Sequence, residues 1–139
     1  MRPILMTFCA ALALAGCKEE GAKPTTDPLN LLDHAVEWHV TEIDGTAVPA
    51  GVEVTIEAPE PGRIAGRSGC NRFSAPVEMR ENLLHVGGLA GTRMMCDPAT
   101  MVVERAFHST IGRAKGLRLS GEVLEFTDME NQPLLRAHK

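Results

Sequence analysis

The sequence predicts a mainly β domain with one helix (α+β), either a curved antiparallel sheet or a small open barrel with the helix packed on it. Two observations predict this. From Leu29 onward, apolar residues recur mostly at every second position, in short runs cut by Gly, Pro, Asn and Asp. That is the period of half-buried strands and their turns. Only after Asp97 does the apolar spacing change to three and four, the period of a helix face.

Taken in order, residues 35–43 place Val36, Trp38 and Val40 on one face, and Asp44-Gly45 supplies a turn. Residues 52–57 alternate cleanly, Ala58-Pro59-Glu60-Pro61-Gly62 punctuate them, and residues 63–66 begin another extended piece. Residues 66–74, GRSGCNRFS, suit a tight polar turn. Gly69 permits unusual backbone angles and Asn71 tolerates a left-handed conformation or bonds its own backbone. Residues 76–80 and 83–86 form a hairpin around Glu81-Asn82. Asp97 is a good N-cap with Pro98 at the first helical position, and Ala99, Val103, Ala106, Phe107, Ile111 and Ala114 define one helix over 98–115. On it, Glu104, Arg105 and His108 read as a solvated face. Gly116 stops the helix, and residues 117–119, 123–126 and 133–135 give closing strands. Seven or eight short strands of this kind suggest a curved sheet or barrel with the helix across an open end or face.

Upstream of the domain the chain has a different character. Arg2 precedes an apolar run from Ile4 to Leu14, followed by Ala15-Gly16-Cys17 and the charged Lys18-Glu19-Glu20. This is a signal-peptide layout, too short for a membrane span, which needs about 20 apolar residues. The tetrad Leu14-Ala15-Gly16-Cys17 resembles the lipobox of bacterial lipoproteins. On that reading residues 1–16 are a lipoprotein signal peptide and Cys17 is lipidated. Residues 17–28 are then the lipidated N-terminus and a flexible tether, and 29–139 the folded domain. An ordinary signal peptide cut at the same small residues is the other reading. The eleven residues of 18–28 have almost no apolar side chain and reach at most about 40 Å when extended. Attached to acyl chains, they would hold the domain at a membrane surface.

The formal net charge of −4 is spread along the chain without a Lys/Arg block, and aromatics are scarce, with one Trp, four Phe and no Tyr. Neither feature suits a nucleic-acid surface. Of four cysteines, Cys9 leaves with the signal peptide and Cys17 carries lipid. Cys70 and Cys96 remain as the natural pair for a disulfide in an oxidising compartment. Two buried free thiols, or cysteines too far apart to bridge, are the alternatives, since sequence does not measure their separation. The five histidines (His34, His39, His85, His108, His138) are scattered and the cysteines lack CxxC spacing, so no metal site or cofactor is expected.

Catalysis is expected to be absent as well. Ser68 lacks the G-x-S-x-G elbow, because Cys70 stands where the second glycine belongs. A nucleophilic Cys70 would need a neighbouring base and a lowered pKa, and the disulfide with Cys96 is its simpler fate. Arg67, Arg72 and Arg93 read as solvated loop charges, or as one basic cluster if the two segments that carry them are adjacent.

Two segments together carry a family likeness. CNRFS at 70–74, followed by L-x-x-TRMMC at 89–96, resembles the META domain family of HslJ-like heat-shock lipoproteins, over roughly residues 35–137. The resemblance implies Gly69, Cys70, Asn71, Phe73, Thr92, Met94 and Cys96 as family positions, mostly structural. Phe73 and Met94 are expected in the core, and Thr92 is expected to satisfy a backbone group. Ala75-Pro76 departs from the family pattern, and Pro76 suggests an edge or bulge there. The implied function is a non-enzymatic envelope role in integrity or in resistance to heat and antibiotics. The alternative is a lipid- or protein-binding escort module similar to secretin pilot lipoproteins. The expected partners are the membrane through the lipid anchor and an envelope protein or lipid. The expected location is the outer membrane facing the periplasm, since Lys18 rather than aspartate follows the lipid cysteine.

Overall fold

The computed structural model describes residues 27–139. The signal segment 1–16, Cys17 and all of the tether except Asp27 and Pro28 lie outside the described residues. A short 3-10 turn, Pro28–Leu31, is capped by the Asp27 side chain, which accepts from Leu29 N at 2.9 Å. Ten strands and one helix follow. They are β1 (Trp38–Ile43), β2 (Thr46–Ala47), β3 (Thr55–Glu60), β4 (Arg63–Arg67), β5 (Arg72–Arg80), β6 (Leu83–Val86) and β7 (Ala90–Gly91), then α1 (Pro98–Ile111), β8 (Gly116–Ser120), β9 (Val123–Thr127) and β10 (Pro133–His138).

The main path of the sheet runs β6-β5-β4-β3-β1-β10-β9-β8, every pair antiparallel, with β2 appended to β1 and β7 to β5. Its two ends approach each other without forming a ladder. Leu84 N in β6 donates to Lys115 O, just before β8, at 2.7 Å. The fold is therefore the open, curved sheet of the two architectures expected. Its one helix packs on the same core, with Val103, Phe107 and Ile111 buried beside Trp38, Val40, Ile56, Ile64, Phe73, Leu124, Phe126 and Leu135. Phe73 and Phe107 meet with ring centroids 4.9 Å apart at a tilt of 54°, a favourable aromatic geometry.

Several boundaries differ from the sequence expectation, each for a local reason. β1 starts at Trp38 rather than residue 35, because the Asp33 carboxylate accepts from Ala35 N and its carbonyl from Val36 N, closing a turn. β3 runs through the expected Ala58-Pro59 break as far as Glu60. Pro59 is accommodated because the β3–β4 register slips between Glu57 and Glu60, so its missing N–H costs no ladder bond. The polar turn is shorter than residues 66–74. Only 68–71 turn, and Arg72, Phe73 and Ser74 already belong to β5.

Pro76 does not interrupt β5. It stands opposite Arg63, where the other flank of β5 changes partner from β7 to β6, and Gly87 N donates to its carbonyl at 2.8 Å. The helix ends at Ile111, before the expected residue 115. The N–H groups of Arg113 and Ala114 bond back by only three residues, and Lys115 N turns to Thr127 O on the sheet. Gly116 accordingly opens β8 instead of ending the helix.

Candidate functional site

The turn between β4 and β5 is the densest polar region of the interior. Ser68 and Asn71 are buried, 0% and 4% exposed, and the Ser68 N–H donates to Asn71 O at 2.9 Å to close the turn. Gly69 has φ of +113°, and a Cβ there would come within 3.3 Å of Thr100 O on the helix. A side chain is disfavoured on both counts. Gly91 in β7 is needed for a second close approach, since its Cβ would stand 2.1 Å from Arg72 O.

Asn71 is the hub, with every polar group of the residue engaged. Its backbone N–H donates to Glu104 Oε2 at 2.7 Å, and Nδ2 donates to Glu104 Oε1 at 2.7 Å and to Met94 O at 3.1 Å. Its Oδ1 accepts from Thr92 Oγ1 at 2.9 Å and Met94 N at 2.6 Å. Thr92 Oγ1 in turn accepts from Arg72 N at 3.1 Å, satisfying a backbone group as expected. Ser68 Oγ lies 3.1 Å from Asn71 O and 3.2 Å from Glu104 Oε2, sharing its one proton. One asparagine thus joins three chain segments far apart in sequence: the β4–β5 turn, the strap 92–94 and helix α1.

The disulfide Cys70–Cys96 closes the same cluster covalently, with the two Cα atoms 5.8 Å apart. The helix that follows is fixed by Asp97, which accepts from Thr100 N at 3.0 Å and Thr100 Oγ1 at 2.6 Å. Those bonds hold the Asp97 carboxyl below its ordinary range.

Glu104 is where sequence reasoning failed. Placed on the wet face of the helix with Arg105 and His108, it is in fact 7% exposed. Burial pushes its carboxyl up, but the Asn71 side-chain and backbone donors, the Ser68 hydroxyl and the charge of His108 outweigh that and hold it below the ordinary range. The signal was present. Glu104 stands seven residues before Ile111, almost the same direction on an α-helix, and three before Phe107.

Met94 is the second correction. Only its backbone joins the cluster; its side chain is 56% exposed rather than in the core, because Asn71 grips both its N–H and its carbonyl and the strap runs on the surface. Phe73, Gly69, Thr92 and both cysteines fall where the motif reading puts them. Of the three arginines, Arg67 and Arg72 face each other across the β4–β5 ladder and Arg67 pairs with Glu53 at 3.4 Å. Arg72 and Arg93 instead line a hollow of about 620 Å³ beside the strap, with Leu89, Met94, Met95, Met101 and His108.

The polar groups of the cluster are spent on one another. Ser68 has no exposed atom surface to offer a substrate, Cys70 and Cys96 are bonded to each other, and the Glu104 carboxylate is occupied by three donors. Among the described residues, no three His, Cys, Asp or Glu side chains gather as metal ligands, and no helix is long and apolar enough to cross a membrane.

The segment that carries this cluster matches a known domain. The family model of the META domain matches residues 30–139. The chain belongs to the META domain family. Two solved structures are similar in fold. One, an NMR structure of a protein, is 26% identical, with a TM-score of 0.57 over 78% of this chain and 92% of its own. The other, an NMR structure of a protein from Burkholderia xenovorans, is 23% identical, with a TM-score of 0.59 over 96% of this chain and 97% of its own. No curated protein sequence matches the chain. In this META domain the matched segment begins at residue 30, just after the tether read from the sequence.

Proposed function

We propose that this META domain is the folded part of a bacterial envelope lipoprotein, held to the membrane through lipid on Cys17. Its role on this reading is non-enzymatic, in envelope integrity or stress resistance. The observation that carries the reading is the tetrad Leu14-Ala15-Gly16-Cys17 at the end of an apolar leader, followed by a polar tether that ends where the domain begins. The disulfide supports it, since such bonds persist in oxidising compartments. Lys18 after the lipid cysteine favours the outer membrane, facing the periplasm. The polar motif residues support a scaffold rather than a catalyst, because their hydrogen-bonding groups are spent within the fold.

Labelling cells with radioactive palmitate is the test of the anchor. The chain is expected to carry label and to sediment with membranes, and C17A to lose both. An unlabelled wild-type chain overturns the anchor, and a deletion strain with unchanged permeability and heat tolerance overturns the stress role. The second reading, an escort module for a lipid or protein, is favoured by one specific feature, the open hollow beside the strap.

A further inference from the structure

The hollow beside the strap differs from the rest of the surface in its charges. Nine arginines lie in the described residues, and six of them, at 63, 67, 80, 113, 118 and 136, form ion pairs. Of the other three, Arg72 and Arg93 line this one hollow, and neither has an ion-pair partner among the described residues. On a chain of net charge −4, two arginines without ion pairs against the single carboxylate of Glu104 give the wall of this hollow a positive balance. Arginine suits phosphate and carboxylate because its planar fork donates two parallel hydrogen bonds.

The second feature is apolar. Leu89, Met94, Met95 and Met101 line the same hollow, with Met94 and Met95 exposed to 56% and 85%. Unbranched, polarisable thioethers adapt to ligands of variable shape. Their backbone does not share that freedom, since the strap is gripped at Met94 by Asn71 and tied at Cys96 by the disulfide. The volume, about 620 Å³, is that of a small-molecule site. The one carboxylate on the hollow's wall, Glu104, is buried and its oxygens are occupied by donors from Asn71 and Ser68.

We propose that this hollow binds an anionic amphiphile, its phosphate or carboxylate held between Arg72 and Arg93 and its alkyl chain laid over Leu89, Met94, Met95 and Met101. The chemistry is the same for a free single-chain amphiphile and for an anionic lipid in a bilayer. The site is independent of the Cys17 anchor, so the test uses the full chain carrying C17A, in which no covalent lipid competes.

Calorimetric titrations with monomeric dodecyl phosphate, dodecyl maltoside and inorganic phosphate, and sedimentation with phosphatidylglycerol vesicles, make up the test. Dodecyl phosphate is expected to bind. Inorganic phosphate and the neutral maltoside are each expected to bind at least about tenfold more weakly, as loss of one charge-assisted contact or of the apolar contact implies. R72Q/R93Q and M94S/M95S, all exposed changes, are expected to weaken dodecyl phosphate by about tenfold or more without changing the thermal midpoint. Binding to monomers identifies a free amphiphile. Binding to vesicles alone, lost in R72Q/R93Q, identifies a membrane surface. Equal affinity for the neutral maltoside, indifference to R72Q/R93Q, or no binding in any arm overturns the proposal. A palmitate label lost in C17A would leave the anchor standing in each of those cases.

Discussion

Glu104 on α1 and Glu125 on β9 are about equally buried, and both carboxyls are held below their ordinary range, but by different means. Burial pushes Glu125 up, and two guanidinium groups bring it back: Arg118 Nε at 2.7 Å and Arg136 Nε at 3.0 Å. Arg136 also reaches Glu42 at 2.6 Å. Arg118, Glu125, Arg136 and Glu42 are successive cross-strand neighbours on β8, β9, β10 and β1, so the register itself lays out a row of alternating charge. Glu104 has no cation in hydrogen-bond contact. Its charge is held by neutral donors on a turn more than thirty residues earlier in sequence. The ion row reinforces strands that already pair through their backbones, whereas the Glu104 cluster is what holds a loop, a strap and a helix together. The same net ionisation therefore corresponds to different structural consequences.

Asn71→Ala should show the largest effect, because it takes the Nδ2 donor from the buried Glu104 carboxylate and removes every side-chain bond by which Asn71 holds Thr92 and Met94 of the strap. A loss of about 3–5 kcal/mol is expected, read as a lowered urea midpoint. A variant within 1 kcal/mol of wild type, by the same order-of-magnitude standard, would deny the cluster its role as keystone. C70S/C96S comes next. By the chain-entropy account it should cost about 3.5 kcal/mol while leaving the far-ultraviolet spectrum of the sheet unchanged in dilute urea.

The third effect separates the two carboxylates by pH. Each has a folded pKa below its unfolded value, so the unfolded chain binds protons first on acidification. The stability they contribute is complete above the ordinary carboxylate range and is lost as pH falls through the depressed folded values. E104Q should flatten the acid limb of a stability profile, and E104Q/E125Q should flatten it further. A limb as steep in both variants as in wild type would assign acid unfolding to other groups. Smallest is E42Q, at the half-exposed end of the ion row, where a loss below about 1 kcal/mol is expected. A loss as large as that of Asn71→Ala would erase the contrast between the two regions.

The class of the fold was legible along the chain, because strand and helix periods are properties of neighbouring residues. Trp38, Val40, Ile56, Val77 and Leu124 announce their faces by alternation, and Asp97-Pro98 announces the helix start by capping chemistry that needs no tertiary partner. It also brought out Cys70, Asn71, Thr92 and Cys96, through motif spacing and family resemblance. How these residues are used depends on contacts between segments distant in the chain. Asn71 turned from a turn former into a hub, Met94 lent its backbone instead of its side chain, and Glu104 left the surface it was assigned to. The physical reason is common to all three. Hydrogen-bond partners twenty to thirty-six residues apart leave no periodic trace, and a charged side chain can enter the interior wherever the fold delivers enough donors to replace its water.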